Sequence, residues 1–81
     1  MSMTEEMKGG YLEGLATERR GYEARLVVVT EALQEVGDDP TSPEGKVRRQ
    51  ELLNQQGMLE ERLKQVDEEA RRVKGLKARR G

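Results

Sequence analysis

Gly37-Asp38-Asp39-Pro40-Thr41-Ser42-Pro43-Glu44-Gly45 holds both prolines of this chain, three residues apart, beside glycine and paired aspartates. No helix crosses such a stretch, because proline lacks the backbone N–H a helix interior needs and clashes with the preceding turn. Its two ends read as helix signals. Gly37 can take the left-handed conformation that ends a helix. Ser42, Pro43 and Glu44 read as N-cap, N1 and N2 of the next one. The serine oxygen accepts an orphan backbone N–H, and proline costs nothing where its missing N–H had no partner.

Upstream of this break the apolar residues Leu12, Leu15, Tyr22, Leu26, Val29, Leu33 and Val36 follow steps of 3, 7, 4, 3, 4 and 3. Arg19 occupies the slot inside the step of seven. This is an a/d seam repeating every 3.5 residues, with Leu12 at a and Leu15 at d. Ser2 or Thr4 can cap its start, with Glu5 and Glu6 suited to the positive end of the helix dipole. Downstream, Leu52, Gln56, Leu59, Leu63, Val66, Ala70 and Val73 follow steps of 4 and 3 in strict alternation. Arg49 takes the a position before Leu52. Glu44/Arg48, Glu60/Lys64, Asp67/Arg71 and Glu68/Arg72 place an acid four residues before a base, which supports a helix by a few tenths of a kcal/mol each.

The two seams fix a common register. Residues that face each other in an antiparallel hairpin have numbers with a nearly constant sum. Val29/Leu52, Leu26/Gln56, Tyr22/Leu59, Leu15/Val66 and Leu12/Ala70 all add to 81 or 82. The expected fold is therefore all-α: one domain over residues 1–81, with an antiparallel coiled-coil hairpin of helices at about 4–36 and 43–79. Residues 37–42 form the loop, and about 1–4 and 79–81 are expected to fray. Charge divides in the same sense. Residues 1–45 carry 10 acids and 4 bases, a net of −6; residues 46–81 carry 6 acids and 11 bases, a net of +5. Opposite fields favour the halves lying side by side and disfavour self-pairing of either helix alone.

Composition narrows the chemistry. Charged residues make up 38% of the 81 positions and hydrophobic ones 33%, with two tyrosines as the only aromatics. There is no Cys, His, Trp or Phe. Disulfides, Cys/His metal sites and histidine acid–base chemistry are thereby excluded. The carboxylate pairs Glu31/Glu35 and Glu60/Glu61 have no histidine to complete a bundle metal site and are read as solvated charges. Gly9-Gly10 follows no strand and matches no nucleotide-binding fingerprint. No catalytic residue, cofactor or metal is expected, and no enzyme. No stretch approaches the ~20 apolar residues of a membrane span, and no signal-peptide core follows Met1, so a cytoplasmic protein without membrane contact is expected. No family motif is recognised.

Two helices cannot surround their own seam, and a chain this small rarely stabilises itself alone. A dimer, as a four-helix bundle, is therefore expected. Two faces qualify. Gly10, Gly14, Thr17, Gly21, Ala24 and Val28 form a second stripe at c and f positions of the first helix, with Val27 and Ala32 beside it. Glycine in a helix costs about 1 kcal/mol against alanine, so Gly14, Gly21, Ala24 and Val28 read as a groove for close helix–helix contact, with a second copy or another protein. The other face is the open side of the paired seams, with Leu53, Met58 and Leu76. Of the polar seam residues, Arg19 and Arg49 are read as arms reaching to water and Gln56 as a register device. Function is expected to be non-enzymatic: an interaction, adaptor or assembly protein that associates with itself. The alternative is a nucleic-acid-binding dimer using Arg71, Arg72, Lys74, Lys77, Arg79 and Arg80. Against it stand the net charge of −1, the lack of aromatics to stack on bases, and the ordinary preference of cations for a helix C-terminus.

Overall fold

The computed structural model describes residues 4–76. Two helices pack antiparallel: α1 over Glu5–Val36 and α2 over Pro43–Gly75, with 32 and 33 residues. The rod measures 63 × 15 × 13 Å. No strand occurs among the described residues.

Local chemistry sets the helix ends. Thr4 is the N-cap of α1, and its Oγ1 accepts a hydrogen bond from the Met7 amide at 3.2 Å. Ser42 caps α2 by accepting from the Gly45 amide at 3.0 Å, with Pro43 in the first turn. Gly37 closes α1 through its amide, which donates to the Leu33 carbonyl at 3.0 Å. Its φ is 83°, as a left-handed cap requires, but its ψ of 171° is extended. The chain therefore leaves α1 through a region open essentially to glycine alone, and not through the left-handed helical cap expected.

α2 stops at Gly75, short of the expected end near residue 79. Leu76 is extended at φ −73° and ψ 132°. Gly75 is a weak helix former, and Lys8 supplies the last carbonyls with a donor from the other helix. Its ammonium donates to the carbonyls of Lys74 and Leu76 at 3.2 and 2.9 Å. A cation here also suits the negative end of the α2 dipole. Lys77, Arg79 and Arg80, like the expected frayed ends, lie outside the described residues, except Thr4, which is the ordered cap.

The seam is where the heptads place it. Val29, Leu52, Val66 and Val73 are buried. Leu12, Leu15, Tyr22, Leu26, Leu33, Leu59 and Leu63 are half-buried, as are Val36, Arg49, Gln56 and Ala70. Cross-helix contacts agree on the register. Lys8 reaches Lys74, and the Tyr11 hydroxyl donates to Glu69 Oε1 at 2.9 Å. Leu12, Leu15, Val66 and Ala70 line one shared crevice.

The charged pairs are a different set from the one expected. Glu44/Arg48, Glu60/Lys64, Asp67/Arg71 and Glu68/Arg72 are not closed. Among the described residues the ion pairs are Arg19–Glu23, Arg19–Asp67 and Arg72–Glu69. Exposed pairs contribute so little that small differences in geometry choose between partners.

Candidate interaction face

The hairpin has two long sides, and side chains at e and g positions determine what each exposes. On the e side, Leu12, Leu15, Ala16, Val66 and Ala70 form a crevice with Arg19, Asp67 and Lys74 at its edge. Arg19 closes it. Its Nη1 donates to Asp67 Oδ1 of α2 and its Nε donates to Glu23 Oε1 at 2.6 Å. The arginine sits at an a position yet stays exposed, its stem along the seam and its head among carboxylates, as a guanidinium that avoids burial must.

The g side is open at its centre. Val28 and Val29 of α1 and Met58 and Leu59 of α2 line a groove of about 350 Å³, with Arg25 and Gln55 at its rim. Val28 and Met58 are each 65% exposed. The lining is almost wholly apolar, so water in it makes few hydrogen bonds and is readily displaced. Towards the open end of the hairpin this side is crossed by a polar bridge. Glu69 accepts from the Tyr11 hydroxyl and from Arg72. Hydrogen bonds from Arg72 and then Tyr11 hold the Glu69 carboxyl below its ordinary range. The same contact with Glu69 raises the Tyr11 phenol above 10.0 and strengthens the hold of Arg72 on its proton.

The residues expected to matter fall into three groups. Gly14, Gly21, Ala24 and Val28 are all exposed. A Cβ built on Gly14 or Gly21 meets nothing within 4 Å, so no packing inside the chain calls for glycine there. Gly14, Gly21 and Val28 share the c position, one heptad apart, on the side of the rod that holds the groove, but of the three only Val28 lines it; Ala24, at f, lies on the outer face. The second expected face divides. Met58 lines the groove, whereas Leu53, at e, is half-buried on the opposite side. Leu76 is exposed at the rod end. In the basic segment Arg71, Arg72 and Lys74 are exposed, and Arg72 is engaged by Glu69.

The bridge of Tyr11, Glu69 and Arg72 and the capping role of Lys8 are additions to the sequence reading. Both were within its reach, since Tyr11/Glu69 and Lys8/Lys74 add to 80 and 82. Glu31, Glu35, Glu60 and Glu61 are exposed on the rod surface. Among the described residues no group of three or more acids could hold a metal ion, and no helix is long and apolar enough to cross a membrane. No family model, curated protein or solved structure matches the chain.

Proposed function

We propose that this chain is a non-enzymatic interaction or assembly protein that associates with itself through a helix face. The observation behind this reading is the apolar groove of Val28, Val29, Met58 and Leu59, whose two outer members are 65% exposed. Only four residues of the seam are buried within one copy. A second apolar surface over the groove would cover the half-buried Leu59 and remove Val28 and Met58 from water, each worth about 1.5–3 kcal/mol when fully covered.

Light scattering after size-exclusion chromatography, at low and high salt, tests the reading. A mass of twice 9.2 kDa is the expected result. A helical chain at the monomer mass at every concentration and salt would remove self-association.

A further inference from the structure

Resting on that reading, we infer that the occupant of the groove is a second copy related by a two-fold axis along the rod. α1 of each copy then seats on α2 of the other, and both loops lie at the same end.

The argument begins with the space available. The rod presents a face of 63 by 15 Å, room for the ~800 Å² per partner of a standard interface. The groove lies on the loop side of the rod's middle, with both helices extending beyond it in each direction, so a second copy laid over it is supported on both sides of the contact.

Charge then selects among the two-fold arrangements. Rotation about the rod axis keeps each residue at its own height. A residue of α1 therefore meets the residue of the other copy's α2 that already faces it in its own hairpin. Glu18 comes opposite Arg62 of the other copy, and Glu35 opposite Arg48 of the other copy. Arg25, at the groove rim, meets the neutral Gln55. Like charges approach only towards the two ends, Lys8 near Arg72 of the other copy and Glu35 near Glu44 of the other copy. Met58 of one copy comes between Gly21 and Arg25 of the other, and nothing occupies the 4 Å around a Cβ built on Gly21.

The competing axis crosses the rod through the groove. It lays α1 on α1 and α2 on α2 with their directions reversed, and brings Arg25 against its own copy. α1 carries seven acids and four bases, so that arrangement also sets like net charge on like. Both arrangements make every contacting helix pair antiparallel, so the helix dipoles are equally served and charge makes the choice.

The test uses the full chain, which has no native cysteine. Asp39→Cys in the exposed loop takes a spin label, and pulsed dipolar spectroscopy reads the distance between the two loops. With helix axes 8–10 Å apart, roughly 10–30 Å is expected. The competing axis passes through Arg25, about 14 residues or roughly 20 Å along the rod from Asp39, and so sets the loops roughly 40 Å apart; such a distance, at dimer mass, would overturn this docking and leave self-association standing. Monomer mass throughout would overturn both. The face is tested separately with Met58→Glu, a substitution at a 65% exposed position that a single hairpin tolerates. It is expected to raise the dimer Kd at least about tenfold, one buried charge being worth more than 1.4 kcal/mol. Val47→Glu, exposed on the outer face of α2, should leave Kd unchanged. A Met58→Glu chain as dimeric as the parent would overturn the proposal.

Discussion

Replacing Gly37 by L-alanine and by D-alanine should move stability in opposite directions. Gly37 has φ 83° and ψ 171°. An L-residue held in this region costs ~1–3 kcal/mol. The side chain itself adds nothing to that cost, because a Cβ at Gly37 meets nothing within 4 Å. The penalty is therefore purely that of the backbone. For a chain of this length each kcal/mol shifts Tm by ~4–8 °C, so Gly37→Ala should lower Tm by roughly 4–20 °C. D-Alanine sees the mirror image of these angles, an ordinary extended conformation. It also restricts the unfolded chain and should stabilise by ~0.4–1 kcal/mol. Both chains can be made by synthesis and melted by far-UV circular dichroism. One fixed protein concentration is needed, because association makes Tm depend on it. An unchanged Tm for the L variant, or an equal loss for the D variant, would refute the backbone argument.

Gly45→Ala should destabilise for the opposite reason: its φ is ordinary, but an added Cβ would lie 2.9 Å from both Pro40 Cβ and Ser42 Oγ. Thermal melts should show it below the parent, and a double variant with Pro40→Ala should recover part of the loss. Val73→Ala should cost roughly 1.5 kcal/mol in urea unfolding, from two methyl groups at about 0.8 each, because Val73 is the most buried side chain at 2% exposed; an equal effect from Val27→Ala, on the exposed outer face, would contradict this. In a Tyr22→Phe chain, absorbance of the single remaining tyrosine should titrate above 10.0, and Glu69→Gln should bring the midpoint back towards that value. The same contact has a sign in stability. With its pKa lowered in the folded chain, Glu69 contributes above the ordinary carboxylate range, and the contribution is lost as pH falls through the lowered value. Tyr11, with its pKa raised, contributes below 10.0 and ceases to do so as pH rises through the raised value.

The hairpin was legible because its determinants are local or periodic. Ser42 and Pro43 carry the start of α2 in their own covalent chemistry, and the seams repeat closely enough for two separate series of residues to agree on one register. What escaped depends on geometry that no spacing records. Whether Gly37 leaves its helix with ψ near 45° or near 171° is set by the path of the loop. Gly45 carries no mark of its role in the sequence, and only the fold of Pro40 over the first turn of α2 makes its lack of a side chain matter. The surface pairs were misassigned because the i,i+4 rule compares partners within one helix. Asp67 and Glu69 find theirs partly across the hairpin, at Arg19 and Tyr11. The interaction face was legible only in part. The c-position spacing of Gly14, Gly21 and Val28 marked the side of α1 that holds the groove, though only Val28 lines it, and the groove itself needs both helices at their observed separation.

Arg19 gives the two sides of the rod their different character. At an a position it faces the seam, and its charge cannot be buried there without several kcal/mol of desolvation cost. It leaves the seam on the e side, where Glu23 and Asp67 receive it. That side is thereby closed by a polar bridge and made unfit for apolar contact. The g side has no counterpart to Arg19 at its centre: Arg25 and Gln55 stand at the rim of the groove, with Val28, Val29, Met58 and Leu59 between them. Glu23, Asp67 and Lys74 would edge the e side even without Arg19, and Arg19 ties two of them together across its crevice. The proposed contact is then left the g side, and a two-fold contact through one face closes on itself. In this reading the residue that weakens the seam of the single hairpin is also one of those that limit its assembly to a pair.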